Sequence, residues 1–334
     1  MNKPLLEVKD LKTYFYLTSG VVKAVDGVSF SIDAGKTLGI VGESGSGKSV
    51  TASSLIRLMT KTSRIVGGEV WFDGRLVNGL DTTELLALRG KQISTIFQDP
   101  MTSLDPVFTV KQQMTEMLLE HFDMTRAQAA ETSLEALRLV GIPEPEIRIN
   151  AYPYQLSGGM CQRVIIAMAL CANSKMIIAD EPTTALDVTV QAQVLRLLKD
   201  MQEKNNVSIL LITHNLGVVW EMCHDVLVMY AGKAVEYAPV GEIYSHPMHP
   251  YTWGLMESMP HLNIDRNDRL ATIEGVPPDL RLTGQACNFA NRCPYAVDIC
   301  CEQVPPSVEV EPGHFVACHR QQKDSRLSER RRQA

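Results

Sequence analysis

Gly42-Glu43-Ser44-Gly45-Ser46-Gly47-Lys48-Ser49 fits the pattern GxxxxGK[ST]. In that pattern small residues let backbone N–H groups wrap a chain of phosphates. Gly42, Ser44, Gly45 and Gly47 provide the wrapping, Lys48 reaches the β- and γ-phosphates, and Ser49 holds Mg²⁺. A second set of reactive side chains, Asp180 and Glu181, closes the apolar run KMIIAD. Adjacent carboxylates at a strand's carboxyl end need a counter-charge, and Mg²⁺ is the natural one. Asp180 suits that ion through water, and Glu181 suits activation of an attacking water. The plainer alternatives are a chance Gly-rich turn and two helix N-cap acids.

These groups require particular elements to hold them. The apolar stretch Thr37 to Val41 predicts a strand feeding the Gly-rich loop, and Val50, Ser53, Leu55, Ile56 and Leu58 give a helical stripe after it. LLEV at Leu5 to Val8 and VSFSI at Val28 to Ile32 predict a β-rich N-terminal region, with DAGK as a turn. KMIIAD (Lys175 to Asp180) and VSILLIT (Val207 to Thr213) read as central parallel strands covered on both faces, joined through the helix VTVQAQVLRLLKDMQEK. TEMLLEHF and TRAQAAETSLEALRLV predict helices between about residues 110 and 140, with Thr125 as an N-cap. Beyond about residue 245, prolines and cysteines accumulate and periodicity fades, which places a boundary there.

Composition narrows the class further. The 334 residues are 45% hydrophobic and 21% charged, which is ordinary for a globular chain. No apolar run approaches the roughly 18–20 residues of a membrane span, and MNKPLLEVKD lacks a secretory h-region, so a cytosolic protein is expected. A net charge of −6 removes the electrostatic case for nucleic acid as a partner. Five of eight cysteines lie between Cys287 and Cys318, and in a reducing compartment such grouping leans toward metal or catalysis rather than disulfides. Cys161, Cys171 and Cys223 sit in apolar helical stretches and read as small core residues.

Further motifs share one order along the chain. Leu156-Ser157-Gly158-Gly159-Met160, followed by Gln162-Arg163, stands about 20 residues before the acidic strand end. Gln98 lies in FQDP, Asp187 ends the stretch from Glu181, and His214 lies in ITHN. Over about residues 5 to 240 this resembles the ABC transporter ATPases. FQDPMTSLDP, YPYQLSGGMCQR, IADEPTTALDVTVQAQ and HPMHPYT (His246 to Thr252) make the oligopeptide, dipeptide and nickel importer group the most similar branch. Met160 departs from the usual glutamine of the signature without touching its Ser or Gly contacts.

The resemblance implies an α/β fold. It comprises a P-loop NTPase core of the ABC ATPase kind, an N-terminal antiparallel β subdomain, a helical insertion and a C-terminal cysteine-rich extension. The domains expected are a nucleotide-binding domain at 1–245, with about 98–156 as the inserted helical subdomain, and an extension at 246–334 ending in a disordered basic tail. It implies that Phe15, with Tyr14 and Tyr16 as competitors for the register, stacks on adenine. Gln98 binds Mg²⁺ or the lytic water, and His214 contacts the γ-phosphate. Ser157 and Gly159 reach ATP on a partner subunit, and Asp187 communicates between the two sites. The tail cysteines Cys287, Cys293, Cys300 and Cys318 become candidate ligands of a [4Fe–4S] cluster, with Cys301 competing for Cys300's place. Zinc and reduced buried thiols are the alternatives, and the lack of CxxC pairs weighs against zinc.

The implied function is ATP hydrolysis, with ATP and Mg²⁺, powering an importer of peptides. Nickel or another small solute, and a non-transport soluble ABC ATPase, are the competing readings. The implied partners are two transmembrane permease subunits, a paralogous ATPase (or a second copy of this chain) and an extracytoplasmic substrate-binding protein. The implied location is peripheral, at the cytoplasmic face of the inner membrane.

Overall fold

A computed structural model describes residues 3–184, 186–258 and 272–321. Twelve strands are found among them: β1 (Leu6–Leu17), β2 (Gly20–Ile32), β3 (Thr37–Val41), β4 (Ser63–Phe72), β5 (Arg75–Leu76), β6 (Ile93–Ile96), β7 (Met176–Asp180), β8 (Ser208–Ile212), β9 (Asp225–Tyr230), β10 (Lys233–Pro239), β11 (Val308–Glu311) and β12 (His314–Val316). The chain forms two compact units, one from Met1–Ile32, Leu38–Asn78 and His214–Ala334, the other from Asp33–Thr37 and Gly79–Thr213. The basic tail expected to be disordered lies outside the described residues.

In the first unit β2, β1, β4 and β5 form an antiparallel sheet in that order. β1 and β2 run much further than the two short strands predicted. Asp10 takes a left-handed conformation, φ 46, and the β1–β2 register shifts between Val8 and Leu11. Such a bulge breaks strict alternation, so Leu6, Val8, Leu11 and Thr13 are buried without a regular period of two. The same unit pairs β3 with β9 in parallel, from Leu38↔Asp225 to Val41↔Val228, and β9 with β10 antiparallel. β3 is buried at every position, as a strand covered on both faces should be.

The C-terminal segment adds strands that its sequence did not announce. β12 pairs with β10 through Tyr237↔Phe315, and β11 folds back on β12. VEVE and HFV are too short and too mixed in burial to register as strands by pattern.

In the second unit β6, β7 and β8 are parallel, from Ile93↔Met176 and from Met176↔Ser208 to Asp180↔Ile212. The crossover is the helix Val188–Asn205, whose buried Val190, Val194, Leu198 and Met201 follow helical spacing. The helices Val110–His121 and Arg126–Leu139 each start with a reciprocal capping box, Thr109 with Gln112 and Thr125 with Gln128. Both pack against the helix Gly158–Cys171. Met114, Leu118, Leu137, Val164 and Ile166 are essentially fully buried here, each contributing about 1.5–3 kcal/mol by removal from water. Among the described residues no helix is long and apolar enough to cross a membrane.

Candidate functional site

The loop between β3 and the helix Lys48–Leu55 is shaped by backbone pressed against it. Gly47, at φ 104, is the N-cap of the helix, and a Cβ there would lie 2.2 Å from the carbonyl oxygen of Ala24. A Cβ on Gly42 would lie 2.1 Å from the carbonyl oxygen of Met229. Only glycine fits at either place. The helix start carries no side-chain cap and no acidic residue in its first turn. Its N–H groups and positive dipole end are therefore available to an anion. Lys48 is buried, and its Nζ donates to the carbonyls of Gly42 and Glu43, each at 2.8 Å. Ser44, Gly45 and Ser49 are exposed beside it.

The N-terminal sheet reaches this helix through Thr13, whose Oγ1 lies 2.8 Å from the Ser54 hydroxyl. The register of β1 on β4 runs unbroken from Thr13 to Phe15, so Phe15 shares the Thr13 face. Tyr14 donates its hydroxyl to Asp26 at 2.7 Å, and burial together with that carboxylate pushes its phenol up to about 12. Tyr16 is exposed and Phe15 half-buried.

Glu43, the second residue of the loop, is gripped by the C-terminal extension. Arg292 donates from Nη1 to Oε2 at 2.7 Å and from Nη2 to Oε1 at 3.1 Å. Its remaining N–H groups go to Tyr230 Oη and to the carbonyls of Glu274 and Ile273, so all five donors are used. The Tyr251 hydroxyl accepts the backbone N–H of Glu43 at 2.8 Å. None of these contacts was anticipated from the sequence. Tyr251 lies in HPMHPYT, in which His249 caps the helix Pro250–Glu257 by accepting the Tyr251 N–H.

In the second unit Asp180 ends β7 almost fully buried. Glu181 follows at φ 47, a left-handed conformation that costs a non-glycine residue about 1–3 kcal/mol. Its N–H is fixed to the carbonyl of Ile212 at 2.8 Å, and its Oε2 accepts from Gln98 Nε2 and from Thr184 Oγ1, both at 3.0 Å. Gln98 and Glu181, 83 residues apart, are thus brought together, and Thr184 is an added member.

Ser157 and Asp187 share a different kind of position. Ser157 is the N-cap of Gly158–Cys171, accepting from the Met160 N–H at 3.3 Å, and a Cβ on Gly158 would meet nothing within 4 Å. Gly159 lies in that first turn. Gln162 of the same helix donates to the carbonyl of Pro182 at 2.9 Å, tying the signature helix to the turn after Glu181. Asp187 caps Val188–Asn205 through the Val190 N–H at 3.0 Å. His214 is exposed, directly before Asn215, which caps the helix Leu216–Met222.

Cys287, Cys293, Cys300 and Cys318 line one enclosed cavity with Phe289 and Tyr295, while Cys301 is exposed. Burial, reinforced by the neighbouring sulfurs, pushes Cys293 up to about 11 and Cys318 up to about 12. Among the described residues no three of these sulfurs lie within 4.8 Å of one another. A single tetrahedral zinc, with Zn–S of about 2.3 Å, would draw its thiolates to about 3.8 Å apart. The four sulfurs thus share one cavity without the close spacing that a single tetrahedral zinc takes. Cys161 and Cys223 are buried and Cys171 is partly so, in keeping with core packing.

Comparison with known proteins places this geometry. The ABC transporter family matches residues 25–184, and the C-terminal region of oligopeptide/dipeptide transporters matches residues 235–300. The chain is 51% identical to the dipeptide transport ATP-binding protein DppD of Lactococcus lactis subsp. cremoris, covering 94% of this chain and 90% of that one. It is 50% identical to the oligopeptide transport ATP-binding protein OppD of Bacillus subtilis, over 93% and 87%. Among solved structures, a dimeric post-hydrolysis state of the ATP-binding cassette MJ0796 bound to ADP and Pi superposes with a TM-score of 0.65 at 28% identity, covering 70% of this chain and 98% of that one. The chain belongs to the ABC transporter family, in its branch of oligopeptide and dipeptide transport ATP-binding proteins.

Proposed function

We propose that this chain is the ATP-hydrolysing subunit of an importer for peptides. The observation that carries the reading is that one chain joins an uncapped Gly-rich helix start to a peptide-transporter type of extension, and that Arg292 and Tyr251 of the extension grip that very loop.

The loop N–H groups and Lys48 cradle the ATP phosphates, and Phe15 stacks on adenine. Ser49, Gln98 and Asp180 offer hydroxyl, carboxamide and carboxylate oxygens, the hard donors Mg²⁺ takes. When bound, that ion offsets charge on the phosphate oxygens. Glu181 accepts the proton of the attacking water, Gln98 and Thr184 hold its carboxylate, and His214 contacts the γ-phosphate. Ser157 and Gly159 serve the ATP of a second ATPase subunit, a paralogue of this chain, and Asp187 links the two events. The reading is supported by helix starts at Ser157 and Gly47 that suit anions, and by the constrained Glu181.

In this reading residues 1–245 are the nucleotide-binding domain, about 98–156 face two permease subunits, and 246–334 are the extension. An extracytoplasmic binding protein selects the cargo. The chain sits peripherally at the cytoplasmic face of the inner membrane. Cys287, Cys293, Cys300 and Cys318 would hold a [4Fe–4S] cluster, which would supply redox-active iron.

The test is affinity purification of the chain from detergent-solubilised membranes under anaerobic conditions, with mass spectrometry of what is retained. Two multi-span permeases, a second ATPase and a binding protein are expected. Recovery only with ribosomal or DNA-repair proteins would overturn the transport reading. Anaerobic protein without iron and acid-labile sulfide would overturn the cluster.

A further inference from the structure

The hairpin of β11 and β12 turns through Pro312 and Gly313, and its closing pair is Glu311↔His314. The helix Val240–Ser245, which follows β10, carries Glu242. One carboxylate oxygen each of Glu242 and Glu311 and one ring nitrogen of His314 lie within 4.8 Å of one another, the one such trio among the described residues. Acidic residues near a hairpin are common, and they carry no inference alone. The histidine supplies one.

His314 is 1% exposed, and its Nε2 lies 2.7 Å from Oε1 of Glu236, which is wholly buried. That carboxylate also accepts the backbone N–H groups of Met248 at 2.6 Å and His249 at 3.0 Å, so it faces the ring as an acceptor. Nε2 therefore carries a ring hydrogen, and in the neutral ring Nδ1 presents a lone pair. Nδ1 is buried and has no hydrogen-bond partner. A buried nitrogen without a partner, on a ring grouped with two carboxylates, is unfavourable unless a proton or a metal cation joins them. A ligating histidine whose other ring N–H is held by a carboxylate is the arrangement that fixes tautomer and raises ligand basicity at metal centres. His246, whose Nδ1 is 3.8 Å from Glu242 Oε2, adds a second imidazole at the rim.

We propose that Nδ1 of His314 and the carboxylates of Glu242 and Glu311 bind a divalent transition-metal ion, with Glu236 orienting the histidine. The mixed nitrogen and oxygen donors suit zinc, cobalt, nickel or manganese and disfavour magnesium and calcium, which take oxygen alone. Bound metal pins the C-terminal hairpin to the helix after β10. The site uses none of the cysteines and is independent of the transport reading.

The experiment is titration of the full-length chain with Co²⁺, whose spectrum distinguishes donors. One equivalent with weak ligand-field bands and no thiolate-to-metal charge transfer is expected, separate from any band due to the cysteines. Glu242→Gln and Glu311→Gln, both partly exposed positions, should each weaken that equivalent at least tenfold while leaving the metal-free melting temperature unchanged. Glu236→Gln should weaken it about 10- to 100-fold by loosening the histidine. Binding only with thiolate charge transfer, or affinity unchanged in either ligand variant, would overturn the proposal.

Discussion

Arg292 and Glu43 are 249 residues apart in sequence and meet in a two-point ion pair at 2.7 and 3.1 Å. One is the residue before Cys293, and the other is the first variable position of the phosphate-binding loop. Fork-to-fork geometry of this kind fixes direction as well as distance, which a lysine cannot do. The pair makes the C-terminal extension a structural support of the nucleotide loop.

Arg292→Ala should lower stability by about 1–3 kcal/mol, because it strands a half-buried carboxylate and leaves the Tyr230 hydroxyl and two carbonyls without a donor. ATP affinity should fall by about tenfold, equivalent to about 1.4 kcal/mol. Arg292→Lys should recover only part of either. Thermal denaturation and equilibrium ATP binding check this, and a lysine variant equal to wild type would refute the two-point support.

Ser157 has a local and an intersubunit assignment, and two substitutions separate them. Ser157→Ala removes the cap and should cost about 0.5–2 kcal/mol. Ser157→Asp keeps a good cap, so the melting temperature should hold. It also places a carboxylate where the partner's phosphates are proposed to bind, so ATPase activity should collapse. Full activity in a stable Ser157→Asp chain would leave the residue with the cap alone.

The cavity cysteines predict an alkaline weakness. Thiols raised from about 9 in the unfolded chain to about 11 at Cys293 and about 12 at Cys318 keep their protons longer when folded. The stability they contribute is complete below about pH 9 and is lost as pH rises through about 9 to 12. The metal-free chain should therefore lose stability from pH 8 to 10.5 in denaturant titrations, and substitution of both residues by alanine should flatten that slope. For the same reason metal loading must expel protons and should strengthen as pH rises.

What could be read from the sequence follows from how local each signal is. β3, β7 and β8 are uninterrupted apolar runs and were legible nearly to the residue, as was the helix capped by Thr125, whereas the helix capped by Thr109 was read only from Thr115 onward. The Gly-rich loop and the Asp180-Glu181 edge are contiguous motifs. The continuation of β1 past Asp10 was hidden by a bulge, and the β11–β12 hairpin by brevity. The Arg292 support, the Thr184 contact to Glu181 and the trio around His314 depend on side chains meeting across long separations or around turns. Composition and periodicity hold no trace of such meetings, and only the folded chain displays them.

ATP hydrolysis as proposed turns on Glu181 as the base. The most direct measurement is the hydrolysis rate of Glu181→Gln in the assembled transporter, beside its ATP affinity. Glutamine keeps one acceptor oxygen for Gln98 and Thr184 but cannot take a proton, so turnover should fall by about 10²- to 10⁴-fold with ATP binding retained. Unchanged turnover in that variant would contradict the claim.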